Sequence, residues 1–387
     1  MSPEKRRPPF ECVALTLQGG GALGAYQAGV YQALAEAGLD PDWVAGISIG
    51  SINAAIIVGN PPEARVEKLR GFWAQITSAL GLDAFSSLGR YMMVGEEGRR
   101  LADQVSAATA ATLGVNGFFR PRMMPAFLEP PGSATATSFY DTTPLHATLE
   151  RFVDFDRINA GPTRLSVGAV NVETGNFIYF DTTTHKLGPE HIMASGALPP
   201  GFPAIEIDGQ HYWDGGLVSN TPLQWVLKFG PRRDTLVFEV DLWSARGRFP
   251  RNIIDVEARR KEIQYSSRTR DNIDRFADVQ RRRHAIAKLI DDLPEDMRAR
   301  PDAVALKEFA DHKVYNIAHL IYRSKSYEGD TKDYEFSARS MHDHWNAGYR
   351  DAVMTLEHPE VLERPKNLDG IAIFDFAMPD PGVDRPR

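Results

Sequence analysis

The chain has 387 residues, of which 43% are apolar. This is enough to bury at least one large core and to form roughly two or three domains. The formal net charge of −7 argues against a protein that wraps nucleic acid, because that function needs a basic surface. We therefore expect a folded protein with no nucleic-acid partner.

The N-terminal residues, the apolar runs and the cysteine content indicate the cellular compartment of the protein. The N-terminal residues MSPEKRRPPFE are partly basic, but no apolar segment of a secretory signal follows them. No apolar run approaches the ~18 residues that a membrane span needs. The single cysteine, Cys12, cannot form an internal disulfide. We expect a cytoplasmic protein, and any contact with the inner membrane is expected to be peripheral.

Two strand–turn–helix units begin the chain. Residues 12–17 (CVALTL) are predicted to form a buried strand, and glycines follow at once. Apolar residues then recur at helical steps as far as Ala37, and Gly38 stands where a helix would end. A second unit has its strand at residues 44–47 and its helix at residues 51–58. Such units in tandem predict an α/β sheet.

The later elements are predicted from shorter patterns. Residues 163–170 and 176–181 flank the turn VETG and are predicted to form a hairpin, and residues 234–242 (DTLVFEVDL) to form another core strand. Residues 82–140 differ in character and are interpreted as an insertion over the sheet. After Trp243 the chain becomes more basic and compatible with helices.

The turn after the first strand reads QGGGALGAYQ. Gly19, Gly21 and Gly24 have the G-x-G-x-x-G spacing of a dinucleotide-binding loop. That function also needs an acidic residue at the end of the second strand, where the chain has GISIG instead. Backbone N–H groups at such a turn can instead face a developing oxyanion. A close-packed turn without chemistry is the remaining alternative.

The second turn carries the pattern G-x-S-x-G, with Ser48 between Gly46 and Gly50. Between a buried strand and a helix, this pattern is typical of a nucleophile elbow, in which the serine hydroxyl stands clear of the sheet. The serine needs a base, for which we select Asp214 in HYWDGGLVSNTPL. The alternative interpretation of Asp214 is an ordinary Asx-turn.

A serine nucleophile with an aspartate base does not need a catalytic histidine. His211 lies three positions before Asp214, but we interpret it as a packed or surface side chain rather than a third catalytic residue. The histidines show no metal-binding spacing such as H-E-x-x-H. We expect no metal ion and no other cofactor.

Together the segments QGGGALG, GISIG and DGG resemble the patatin-like phospholipases, bacterial members of which are lipid acyl hydrolases with a Ser-Asp dyad. The resemblance covers roughly residues 11–243 and includes ASGALPPGFPAIEIDG before the aspartate loop. It implies a three-layer α/β/α fold with a mainly parallel central sheet and a mostly helical C-terminal extension. It also implies roles for individual residues: Ser48 as nucleophile, Asp214 as base, and an oxyanion hole of Gly19, Gly20, Gly21 and Ile49.

The resemblance implies an acyl hydrolase domain at residues 8–243, with residues 82–140 as a cap insertion. The extension would span residues 244–358, and residues 359–387 would be a tail. The sequence does not predict the oligomeric state.

The expected substrate is a lipid or fatty-acyl ester. Many members of the family carry Arg or Lys where this chain has Leu23, which weakens the inference to phospholipid in particular. A neutral ester, a lysolipid and an acyl thioester remain open. So do acyl transfer to an acceptor other than water, and a vestigial site in a membrane-binding scaffold.

Two segments suggest contact with a bilayer. FFRPRMMPAFL (residues 118–128) and the basic stretch at residues 251–288 would place aromatic, Met and Arg side chains at the lipid surface. Alternatively, the apolar side chains fill the core of a cap and the arginines form a solvated helix face. We favour the second interpretation for the arginines and leave the apolar segment open.

Overall fold

The structure is a computed structural model and describes residues 7–78, 95–133, 135–229, 232–266, 269–325, 327–367 and 369–376. The strands are β1 Cys12–Leu17, β2 Trp43–Ile47, β3 Arg120–Pro121, β4 Tyr140–Asp141, β5 Arg164–Asn171, β6 Phe177–Asp181, β7 Ile205–Ile207, β8 Gln210–Asp214, β9 Thr235–Asp241, β10 Tyr315–Ile321 and β11 Ile371–Phe374. The α-helices are α1 Ala25–Glu36, α2 Ile49–Val58, α3 Pro62–Ile76, α4 Glu96–Leu113, α5 Thr143–Phe152, α6 Phe155–Ala160, α7 Pro189–Ser195, α8 Leu223–Phe229, α9 Ile253–Tyr265, α10 Thr269–Asp292, α11 Glu295–Arg298, α12 Pro301–Lys307 and α13 Ala338–Leu356.

One large sheet organises the described residues. Its strand order is β11-β10-β9-β1-β2-β5-β8-β7, and β6 pairs with β5 outside this path. The pairs from β11 across to β5 are parallel, whereas β6, β7 and β8 pair antiparallel. The predicted α/β fold with a mainly parallel central sheet is therefore confirmed.

Both faces of the central strands are buried, as expected for parallel strands covered by helices. In β1 the side chains of Val13, Leu15 and Leu17 join the larger hydrophobic core, which includes residues of α1, α2 and α3. Cys12 and Ala14 point to the other face and join a smaller core with residues of α8 and α10. The arrangement is a three-layer α/β/α fold.

Most predicted elements near the site have the expected type. Strand β1 matches its predicted bounds, β9 is within a residue at each end, and β5 and β6 form the predicted hairpin. Helix α2 begins at Ile49, two residues before the predicted start, so that the residue after the serine is already helical.

The C-terminal region is helical, as expected, but it also supplies strands β10 and β11 to the sheet. Residue 243 is therefore not a boundary of the sheet, and the predicted tail contains β11. Helix α13 of this region lies against α1, where Trp345 donates a 2.7 Å hydrogen bond to Gln32 and Tyr26 a 2.7 Å bond to Asp351. Strands of both regions therefore pair within the same sheet.

The predicted insertion at residues 82–140 is described from residue 95 onward, apart from residue 134, and residues 82–94 lie outside the described part. Its rings of Phe118 and Phe119 pack with Phe202, which precedes the aspartate strand, and with Phe336 of the C-terminal region. Among the helices of the described residues, none is both long enough and apolar enough to span a bilayer.

Candidate active site

Ser48 lies in the tight turn between β2 and α2. Its φ of 54° and ψ of −124° are unusual for a residue other than glycine and mark a strained backbone. The flanking glycines allow this turn, because a Cβ at Gly46 would lie 2.3 Å from the Gly50 carbonyl oxygen, and one at Gly50 would lie 2.2 Å from that of Leu17. The turn is thus a sharp, strained strand-to-helix turn, the backbone geometry that a nucleophile elbow requires.

A second serine fixes this turn from outside. The Ser48 N–H donates to both the carbonyl oxygen (3.1 Å) and the hydroxyl oxygen (3.0 Å) of Ser195, at the end of α7. The Ser195 hydroxyl in turn donates a 2.7 Å bond to the carbonyl of Gly168 in β5. Ser195 is fully buried. The sequence analysis did not identify this residue, although it lies in the ASGALPP run.

Asp214 ends β8 next to the elbow, close enough for the Ser48 side chain to lower the pKa of its carboxyl by hydrogen bonding. The carboxylate also accepts a 2.7 Å bond from the Gly216 N–H. The Asx-turn is therefore present, and it leaves the carboxylate beside Ser48. Asp214 is buried, and this burial raises its pKa to about 6, although the bonds from Ser48 and Gly216 act in the opposite direction. The carboxylate remains mostly ionised at neutral pH and is more basic than an exposed aspartate.

The glycine loop, residues 19–21, follows β1 at the same edge of the sheet. A Cβ at Gly19 would lie 3.1 Å from Ser48 Cβ, which places the loop beside the serine. The Gly19 N–H already donates to the Asn220 carbonyl, at 3.3 Å. The Gly19 carbonyl accepts bonds from the side chains of Asn220 and Trp243, both at 2.9 Å.

These bonds set the direction of the next N–H group. Because the C=O and N–H of a trans peptide point in opposite directions, the Gly20 N–H faces away from Asn220 and Trp243. Ile49 occupies the first turn of α2, where N–H groups have no acceptor within the helix. Gly20, Gly21 and Ile49 are therefore the candidate oxyanion donors, whereas the N–H of Gly19 is occupied.

Gln18, just before the loop, connects it to distant parts of the chain. Its side-chain oxygen accepts from the N–H groups of Leu242 (2.6 Å) and Trp243 (3.0 Å). Its side-chain nitrogen donates to the Thr221 hydroxyl (2.9 Å) and to the Tyr265 carbonyl (3.1 Å). These supporting residues could not be identified from the sequence, because their partners lie far apart in the chain.

The other residues considered at the sequence level lie outside the centre of the site. His211 is half exposed and bonds Glu173 at 2.9 Å, which agrees with a surface side chain. Leu23, at the position where many family members have a cation, is buried in the core. Across the described ranges, no group of three or more His, Cys, Asp or Glu side chains is arranged to hold a metal ion.

The apolar insertion divides into two parts. Phe118 and Phe119 are buried, in agreement with the interpretation of a cap core, whereas four apolar side chains that follow them are exposed. The exposed side chains are Met123, Met124, Phe127 and Leu128.

Comparisons with known proteins agree with the motifs. A family model described as "Patatin-like phospholipase" matches residues 15–226, more than half of the chain, and one described as "Patatin phospholipase" matches residues 263–368. No curated protein matches significantly.

Two solved structures show weak similarity. VipD from Legionella pneumophila is 16% identical, with 94% of this chain and 72% of that chain covered and a TM-score of 0.39. Full-length ExoU with SpcU, from the type III secretion system of Pseudomonas aeruginosa, is 19% identical, with 69% and 51% covered and a TM-score of 0.25. These scores carry no functional conclusion, and family membership rests on the match over residues 15–226. The chain belongs to the patatin-like phospholipase family of lipid-ester hydrolases.

Proposed function

We propose that this protein cleaves carboxylic ester bonds of lipids, as a phospholipase A, lysophospholipase or esterase, with Ser48 as nucleophile and Asp214 as its base. The observation that carries the proposal is the position of the buried Asp214 carboxyl beside Ser48, whose side chain lowers its pKa by hydrogen bonding, next to the glycine loop. A serine becomes an effective nucleophile when a base within hydrogen-bonding reach can take its proton.

The reaction proceeds through an acyl-enzyme. The Ser48 oxygen attacks the ester carbonyl carbon while its proton passes to the Asp214 carboxylate. The tetrahedral intermediate then expels the alcohol, which takes the proton from Asp214. Water next gives a proton to Asp214 and attacks the acyl-enzyme, and Ser48 regains that proton when the fatty acid leaves.

The negative oxygen of each tetrahedral intermediate would bind the N–H groups of Gly20, Gly21 and Ile49. The positive ends of the helices that follow both turns add to this stabilisation. Loss of one such donor typically lowers the rate about 10²–10³-fold. The glycine loop therefore supplies a large part of the proposed catalysis.

Replacement of the proposed nucleophile and base tests the mechanism. We expect Ser48→Ala and Asp214→Asn each to lower kcat for a chromogenic acyl ester by about 10³-fold or more, because both residues act in the same step. Ser78→Ala and Asp302→Asn are the matched controls, since both residues are exposed and bond to Gln75 and Arg300 rather than to residues of the site. Turnover at the wild-type level in either site variant would rule out the dyad.

Product analysis distinguishes ester hydrolysis from acyl transfer, thioester cleavage and an inactive scaffold. Free fatty acid in the absence of any added alcohol or thiol supports hydrolysis, whereas an acyl product that forms only with an acceptor supports acyl transfer. Comparison of oxygen esters with thioesters tests the thioesterase alternative. A protein that is folded but inactive on all of these substrates would fit the vestigial scaffold.

We also propose that the exposed side chains of Met123, Phe127 and Leu128 make peripheral contact with a lipid surface. Exposed apolar patches are often sites of interaction, and this one follows residues that pack beside the aspartate strand. The expected cytoplasmic location, at the inner membrane, stays a prediction.

Sedimentation with liposomes tests this contact. We expect the wild type to co-sediment with anionic liposomes at low salt and Phe127→Ser to do so less, because fewer apolar groups enter the interface. Phe249→Ser is the matched control, since Phe249 is also highly exposed (92%, against 81% for Phe127) but lies outside the insertion. Equal binding of all three proteins, or no binding, would contradict the proposal.

A further inference from the structure

The C-terminal region touches the glycine loop through a short segment, residues 330–334, which we call the clamp segment. The Ala22 N–H donates a 2.8 Å bond to the carbonyl oxygen of Asp333. Gly21 has a φ of 55°, and a Cβ there would lie 2.0 Å from that oxygen. The clamp segment thus lies directly on the turn that would present the oxyanion donors.

Two ion pairs attach the clamp segment to helix α9. The Lys261 ammonium donates to both Asp333 carboxylate oxygens, at 2.8 and 3.0 Å, and to the Asp330 carbonyl, at 2.8 Å. Lys332, which is almost fully buried, lies 2.7 Å from Glu262. Such partly desolvated pairs hold a geometry more firmly than exposed ones, which are screened by water.

The same helix also supports the loop from its C-terminal end. The Tyr265 carbonyl accepts bonds from the side chains of Gln18 (3.1 Å) and Asn220 (3.0 Å). Gln18 directly precedes the loop, and the Asn220 side chain also donates to the Gly19 carbonyl. Helix α9 therefore contacts the loop by two routes, one through Tyr265 and one through the clamp segment.

A loop of three glycines needs such external support. Glycine has more accessible backbone conformations than any other residue, so the loop alone would not keep its N–H groups in one direction. Oxyanion stabilisation depends on donors that are already oriented before the reaction. The contacts at Ala22 and Gly21 supply an orientation that the loop sequence does not.

We propose that the clamp segment positions the glycine loop for catalysis, with Lys261 and Asp333 as positioning residues. This inference rests on the proposed function, because it assigns the C-terminal region a part in the same oxyanion hole. The Lys261–Asp333 pair acts on the orientation of the Gly20 and Gly21 N–H groups and does not touch the substrate.

Kinetics of Lys261→Met test the proposal. We expect kcat to fall about 10-fold or more with little change in KM, since a misaligned donor loses part of the roughly 10²–10³-fold effect of a whole donor. Phosphonylation of Ser48 by a fluorophosphonate probe should slow in parallel, because its transition state uses the same N–H groups. Lys261→Arg, which keeps a cation for Asp333, should restore most of both rates.

Lys313→Met is the matched control. Lys313 also pairs a C-terminal residue with the N-terminal region, through two 2.8 Å bonds to Glu11, but it lies away from the loop. We expect Lys313→Met to keep the wild-type kcat and labelling rate. An equal loss of rate in both variants would point to a general structural effect and overturn the proposal.

The other possible results of these experiments distinguish failure of the clamp proposal from failure of the proposed function. Wild-type kcat and labelling in folded Lys261→Met would overturn the clamp while leaving the dyad intact, whereas absence of labelling in the wild type would overturn the proposed function itself. If Lys261→Met does not fold, Asp333→Asn replaces it, since it keeps the backbone carbonyl and removes only the ion pair. A wild-type rate in Asp333→Asn would likewise overturn the proposal.

Discussion

At the scale of single residues, the two interpretations of Asp214 that the sequence presented as alternatives are compatible. Its carboxylate caps the Gly216 N–H in an Asx-turn, and the Ser48 side chain is close enough to lower its pKa by hydrogen bonding. Burial raises its pKa to about 6, above the ordinary value near 3.9. The group is therefore protonated and unable to act as a base below that pH, and ionised above it.

The residues of the proposed dyad could be predicted because each lies in a short motif with its own glycines. Ser195 could not, because its contribution is two hydrogen bonds to a residue 147 positions away in the chain. A buried serine has no local pattern that separates this function from ordinary packing. The residues of the proposed dyad are therefore easier to recognise from the sequence than Ser195, which supports the turn.

At the scale of secondary-structure elements, a row of buried polar side chains crosses three neighbouring strands. Thr16 in β1 and His319 in β10 both pair in register with Glu239 in β9. His319 lies 2.8 Å from the Glu239 carboxylate, and both side chains are largely buried. Burial lowers the pKa of His319, but Glu239 and, to a lesser degree, Asp241 raise it more strongly, so that it reaches about 9.

This ion pair predicts how stability depends on pH. Because the folded pKa of His319 lies above the unfolded value of about 6.5, the pair stabilises the fold fully below that pH and loses its contribution as the pH rises through about 9. Removal of one partner of a buried pair typically costs about 3–5 kcal/mol. We expect His319→Gln to have a lower free energy of unfolding than the wild type at neutral pH. Between about pH 6.5 and about pH 9 its free energy of unfolding should fall less than that of the wild type.

Urea unfolding at several pH values measures this effect. The matched control is His312→Gln, since His312 forms an exposed pair with Asp291. Parallel pH curves for the wild type and His319→Gln would show that the pair does not contribute as described.

The missed strand β10 illustrates what the sequence pattern did not reveal. Its sequence YNIAHLI contains Asn316 and His319, and it lies within residues 244–358, for which a mostly helical extension is predicted. Asn316 is fully buried and donates to the carbonyls of Val361 and Glu363, both at 2.8 Å. Buried polar residues whose partners lie far away in the chain therefore make a core strand hard to recognise from the sequence.

At the scale of the whole molecule, the two regions matched by family models contribute to one sheet. Residues 15–226 include β2 and β5, and residues 263–368 include β10, which pairs with β9. We propose that the described residues from 8 to 376, including β11, fold as one unit, rather than as a hydrolase domain with an appended extension and a tail. The sequence predicted the fold class from two local units, whereas this unity depends on pairing between strands that are far apart in the chain.

The most direct measurement is the rate at which a fluorophosphonate modifies the protein, followed by mass spectrometry of the labelled peptide from about pH 5 to about pH 8. The proposed dyad predicts a single adduct on Ser48, at a rate that rises with pH around a midpoint of about 6 and is strongly reduced in Asp214→Asn. An adduct on another residue, or modification of Ser48 in Asp214→Asn at the wild-type rate, would contradict the account.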